Sequence, residues 1–160
     1  MPGETPRLRM WGRFEHSLDD KGRVILPQKF REPLGTEFVL TVGPGHHIRV
    51  YALSVWEEME NALYSADPRD ELNQDLTYLQ RMLGNCDFAS LDAQFRLSIP
   101  RYLRDWASVE ESSSAVIIGS GNRLEIWNKE TWRKTLDEFQ PRQADIAMFR
   151  KRDEIQLEIA

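Results

Sequence analysis

The chain has 160 residues, 41% of them apolar, a formal net charge of −5 and one cysteine, Cys86. A chain of this length buries one substantial core but not several, and a lone cysteine excludes an intramolecular disulfide and reads as a small buried hydrophobe. No run approaches the roughly 18 apolar residues of a membrane-spanning helix, and residues 1–12 lack an export signal's apolar stretch, so a soluble cytoplasmic protein with no membrane partner is expected.

In chain order, Phe14 to Leu18 alternates as a short strand, Asp19 to Gly22 reads as a turn, and Arg23 to Leu26 as a strand of branched apolar residues. Together they predict a tight hairpin, closed by positive φ at Gly22 and by the Asp19 carboxylate on the turn amides. Pro27 then starts a helical turn that Pro33 and Gly35 stop. Phe38 to Val42 and Ile48 to Tyr51 form a strand pair around a GPGHH turn. Ser54 and Glu57 have capping-box spacing for the next helix, and Asp67-Pro68 starts another with Leu72, Leu76, Leu79 and Leu83 on one face and Gly84 as its stop. Ala115 to Ile118 and Leu124 to Trp127 flank GSGN as a further strand pair, Asn128 caps a helix through Phe139, and the tail from Arg142 to Ile159 reads as a charged helix.

The same passage occurs twice. Ser17 to Arg31 reads SLDDKGRVILPQKFR and Ser90 to Arg104 reads SLDAQFRLSIPRYLR, with six of fifteen positions identical at an offset of 73. Beyond a three-residue insertion the match continues, pairing Gly43, Ile48, Val50 and Trp56 with Gly119, Leu124, Ile126 and Trp132. The chain is an internal duplication. Each copy is near the lower size limit for folding alone, so the two are expected to complete one another's core.

The stretch MWGRFEHSLDDKGRVILPQKFRE, the later FVLT-x-G, the second SLD-x-x-x-R-x-x-IP and GNRLEIW followed by Trp132 together resemble MraZ, a bacterial family of tandem SpoVT-AbrB-type units. The resemblance implies an α+β fold of tandem AbrB-like swapped-hairpin β-barrel units with flanking helices and a pseudo-twofold internal repeat. Its layout would be an extension over 1–12, a first repeat plus helix over 13–64, a linker helix over 65–87, a second repeat plus helix over 88–139, and a charged tail over 140–160. It also implies a nucleoid-associated transcriptional regulator that forms ring-shaped homo-oligomers. Such a regulator binds double-stranded DNA at short G-containing repeats in the promoter of its own division and cell wall gene cluster.

The motif's chemistry fits that role. Lys21 and Arg23 stand at a turn whose strands could enter a major groove as a β-ribbon, and arginine's fork can donate twice to guanine, a pairing worth about 1 to 3 kcal/mol of discrimination. Asp19 would orient Arg23. Arg13, His16, Lys29 and Arg31 are candidate phosphate contacts, which fix register without reading sequence. The motif alone also describes an exposed salt bridge worth roughly 0 to 1 kcal/mol. In the second copy, Asp92 and Arg96 keep the frame, but Phe95 stands where the family has glycine and Ala93 is read at the lysine position. Phe95 at positive φ is strained, so that turn is expected to change type or to hide its ring between subunits, and to be the weaker DNA element.

Charge does not oppose a nucleic-acid partner, because residues 1–33 carry seven Lys/Arg against five Asp/Glu, whereas residues 52–87 carry two against eight. It is the local face that meets phosphate. Adjacent His46 and His47 point to opposite faces of a strand and have no metal-ligand spacing around them. With no nucleophile-base pair and no nucleotide loop, neither an enzyme nor a cofactor or small-molecule substrate is expected. An interaction ring without DNA binding is the competing class.

Overall fold

The computed structural model describes residues 7–67, 69, 73–140, 144, 146–148 and 150–152. The chain divides into two units, residues 1–129 and 130–160. The first is α+β. Strands β1 (Met10–Ser17), β3 (Phe38–Gly43), β4 (His47–Ala52), β5 (Cys86–Ala89), β7 (Ser114–Gly121) and β8 (Arg123–Asn128) form one antiparallel sheet in the order β1-β7-β8-β4-β3-β5. The short strands β2 (Arg23–Ile25) and β6 (Arg96–Ser98) pair separately with one another.

The predicted hairpin over 14–26 is closed only at its turn. The Asp19 amide donates to the Arg23 carbonyl at 2.8 Å, but β1 runs on to pair with β7, and β2 pairs with β6. Local sequence specifies the turn, whereas the strand partners are chosen by a core that both copies supply. Val24, Leu26, Phe30 and Leu34 of the first copy and Leu97, Ile99, Leu103 and Ala107 of the second lie in the same buried cluster. The register makes the symmetry plain. Val24 faces its own counterpart Leu97 in the β2/β6 pair, and Arg49 faces its counterpart Glu125 between β4 and β8, so both pairs are centred on equivalent residues of the two copies.

Helix α1 (Gln28–Leu34) starts after Pro27 and ends at Gly35, with Pro33 inside its last turn and not beyond it. Its counterpart is α4 (Arg101–Ala107). The capping box at Ser54 does not form. Helix α2 (Leu53–Tyr64) leaves β4 directly, with Ala52 at the N-cap, which places Ser54 within the first turn. Helix α3 (Gln74–Leu83) begins later than Asp67-Pro68, because the Asn73 side chain accepts from the Asp75 and Leu76 amides and caps it. Pro68 and Leu72 lie outside the described residues. Val55 and Trp56 of α2 and Met82 of α3 bury against Val39 and Tyr51 in a second cluster.

The second unit holds most of α5 (Lys129–Asp137), followed by a turn in which the Phe139 amide donates to Leu136. Residues 144, 146–148 and 150–152 are helical. Arg142 and Ile159, the ends of the predicted tail helix, lie outside the described residues. No helix among the described residues is long and apolar enough to cross a membrane.

Candidate nucleic-acid interface

The β2/β6 pair alternates sharply. Val24 and Leu97 point into the core, so Arg23, Ile25, Arg96 and Ser98 share the outward face. Arg23 sits opposite Ser98 and Arg96 opposite Ile25, which brings the two arginines to about 8 Å between Cα atoms from standard strand spacings. Each strand is entered through an Asp-x-x-x-Arg turn. In the first, one Asp19 oxygen accepts from the Lys21 and Arg23 amides at 3.0 and 2.9 Å, and the other accepts from Arg23 Nε at 2.8 Å. The Arg23 main-chain N–H is the main reason the Asp19 carboxyl lies below its ordinary pKa; burial opposes it, and the Arg23 guanidinium and the Lys21 amide add to the lowering. Arg23 engages the aspartate through Nε, so its terminal nitrogens remain outermost on the fork.

The second turn reproduces the first. Asp92 accepts from the Gln94 and Arg96 amides at 2.9 Å each and from Arg96 Nε at 2.7 Å, and the Arg96 amide leads the same lowering of its pKa. This register puts Gln94 in the place of Lys21, which corrects the assignment of Ala93 to that position. The turn keeps its type, because Phe95 adopts φ of 60° where Gly22 has 73°. Its ring remains 48% exposed, with the Arg31 guanidinium 4.0 Å from its centre.

The other predicted residues divide between two faces. His16 and Lys29 line one apolar groove of about 280 Å³ together with Phe14, Ile25 and Pro27, adjoining the ribbon through Ile25. The Lys29 ammonium lies over the Phe14 and Phe30 rings at 4.8 and 5.1 Å, and His16 Nδ1 is 3.0 Å from the Ser17 carbonyl. Arg13 alternates onto the opposite face of β1, 3.9 Å from Glu15. Arg31 Nε donates to the Leu26 carbonyl at 3.0 Å.

A family model described as "MraZ protein, putative antitoxin-like" matches residues 10–77 and 82–152, taking in both copies. The chain belongs to this MraZ family. It is 38% identical over 136 residues to the "Transcriptional regulator MraZ" of Pediococcus pentosaceus, covering 85% of this chain and 92% of that one. It is 40% identical over 126 residues to the protein of that name from Natranaerobius thermophilus, covering 76% and 82%.

Sequence reading missed two features of this MraZ-family chain. Arg104, the counterpart of Arg31, donates through Nε to the Ile99 carbonyl at 3.0 Å, pairs with Glu111 and lies against Gly22. The fixed offset of 73 was the available signal. The other is a polar cluster on the sheet face opposite the first buried cluster, beside Tyr51 of the second. His47, 3% exposed, stacks on Trp127 and accepts from Arg49 Nε, while Glu125, 7% exposed, receives Arg123 and the Trp127 indole. Burial pushes the His47 pKa down to about 4 against the attraction of Glu125, with Arg49 and Arg123 reinforcing the shift. Burial raises that of Glu125, but the Trp127 indole, His47 and Arg123 outweigh it and leave a net lowering. Among the described residues no group of three His, Cys, Asp or Glu side chains converges to hold a metal.

Proposed function

We propose that this chain is a sequence-specific DNA-binding transcriptional regulator. It acts on the promoter of its own division and cell wall gene cluster, reading short G-containing repeats as a ring-shaped homo-oligomer. Arg23 and Lys21 read bases, Asp19 and Asp92 hold the turns, Arg96 contributes less, and Arg13, His16 and Lys29 meet phosphate. The observation that carries this reading is the β2/β6 ribbon, whose outward face presents Arg23 and Arg96 side by side between two aspartate-held turns. A two-stranded ribbon fits a major groove. The names of the MraZ relatives support the same role.

The crossed strand pairings support the swapped-hairpin barrel, with repeats over 13–64 and 88–139 joined by 65–87 and flanked by 1–12 and 140–160. The exposed sheet edges β1 and β5, carrying Trp11 and Phe88, suit self-association. A ring gains from multivalency, since each ribbon offers few charges and one anchored subunit raises the effective concentration of the rest. Such a regulator is cytoplasmic, nucleoid-associated and not an enzyme.

The test is fluorescence anisotropy with the protein's own upstream DNA across a salt series, comparing wild type, Arg23→Ala and Arg96→Ala. Repeat-dependent binding that Arg23→Ala abolishes and Arg96→Ala only weakens supports the assignment. Binding indifferent to sequence, or intact in Arg23→Ala, refutes it.

A further inference from the structure

Arg31 is fixed at two points and Arg104 at three, and in each case one of those points belongs to the other copy. Arg31 bonds the Leu26 carbonyl just after β2 of its own copy and lies over the Phe95 ring of the second turn. Arg104 bonds the Ile99 carbonyl just after β6 of its own copy, pairs with Glu111 at 2.9 Å, and packs so tightly on the first turn that a Cβ at Gly22 would fall 2.7 Å from its Cζ and Nε. The backbone repeats the crossing, with Leu26 N–H donating to the Phe95 carbonyl and Ile99 N–H to the Gly22 carbonyl, both at 3.0 Å. Each turn is therefore held from inside by its own aspartate and from outside by the opposite copy's strand and arginine.

We propose that Arg31 and Arg104 are positioning residues for DNA readout and not phosphate contacts: Arg31 steadies the turn that presents Arg96, and Arg104 the turn that presents Arg23. The inference rests on DNA binding by these turns. A planar guanidinium can donate through Nε to a carbonyl and still lay itself against a ring or a glycine, which the point charge of lysine cannot do. Holding the turn before DNA arrives lowers the ordering cost of the base-reading arginine on binding.

The experiment pairs amide hydrogen exchange on the free protein with salt-series anisotropy on the upstream DNA, for lysine and methionine variants at both positions. The lysine variants keep the stem and the charge, so they report on the brace even where a methionine variant does not fold. In Arg104→Lys, exchange is expected to rise at Gly22 and Arg23, and in Arg31→Lys at Phe95 and Arg96, with the other turn unchanged in each. DNA affinity should fall roughly two- to tenfold for each variant, while the methionine variants keep the wild-type slope of log affinity against log salt. A phosphate contact behaves oppositely, its slope shrinking by about 0.9 per engaged subunit with methionine and its affinity surviving in lysine. That result overturns the proposal, as does unchanged exchange at Gly22 and Arg23 in Arg104→Lys or at Phe95 and Arg96 in Arg31→Lys. Should wild type ignore the upstream DNA, the regulator reading fails, and the exchange measurement still decides the brace.

Discussion

Phe95 holds a backbone conformation that costs an ordinary residue about 1–2 kcal/mol, at φ of 60°. Its ring offsets that cost through its contact with Arg31, about 0.5–1 kcal/mol for a partly exposed cation–π pair, and through half-burial, about 1 kcal/mol. Phe95→Ala loses the ring and keeps the strain, so it should destabilise by about 1.5–2 kcal/mol. Phe95→Gly also loses the ring but relieves the strain, against about 0.4–1 kcal/mol for a freer unfolded chain. Its net cost should be about 1 kcal/mol, leaving glycine more stable than alanine by about 0.5–1 kcal/mol. In a regular strand or helix that order is reversed, so the sign is diagnostic. Urea unfolding of the two variants and wild type at one protein concentration reads it directly, provided the m-value is constant. Alanine equal to or better than glycine would sink the reasoning.

Acid should act through His47. Its pKa is lower folded than unfolded, so the unfolded chain binds more protons between pH 6.5 and 4, and stability should fall by about 3 kcal/mol as pH drops through that window. Asp19 and Asp92, whose pKa values are lowered on folding, keep their contribution above 3.8 and lose it as pH falls below. Urea midpoints from pH 7.5 to about 2.5 test this, and His47→Gln should flatten the upper part of the curve. Thr41→Val removes the hydroxyl that donates to the Met82 and Asn85 carbonyls at 2.6 and 3.1 Å behind α3. The Asn85 amide also reaches Met82, so a cost of about 1 kcal/mol and a Tm about 3 °C lower are expected by calorimetry. Gly119→Ala places a Cβ 2.6 Å from main-chain atoms of Met10 and Trp11. It should cost about 2–3 kcal/mol, with amide exchange rising first along β1; a β1 as protected as in wild type would refute the fit.

The duplication was legible because its evidence is linear. An offset of 73 aligned the turns, the prolines and the short helices, and Asp19 and Arg23 stand in the structure as one unit. Strand pairing was not legible in the same way. Phe14–Leu18 and Arg23–Leu26 have the composition and spacing of a hairpin, but nothing local tells β1 that its partner is β7. The cap of α2 failed for a related reason, since spacing favours Ser54 whereas β4 delivers the chain into a helix at Leu53. Arg31 looked like a surface cation because its counterpart surface, the Phe95 ring, comes from the other copy. The polar cluster did leave a trace in the sequence. Arg49 and Tyr51, and Arg123, Glu125 and Trp127, recur at every second residue between core positions, which marks the second face of a strand.

The crossing of the two copies also sets a timetable for synthesis. Met10 pairs with Gly121, so a ribosome must add about 110 residues after β1 begins before its partner strand exists, roughly 5 to 20 s at ordinary elongation rates. Through that interval β1 carries Trp11 and Phe14 with no sheet to join, and β2 waits for β6. A nascent chain ending between the copies is therefore not a small folded domain but a β3–β4 hairpin with β1 and β2 unmatched, and the first copy completes its fold only when the second leaves the ribosome.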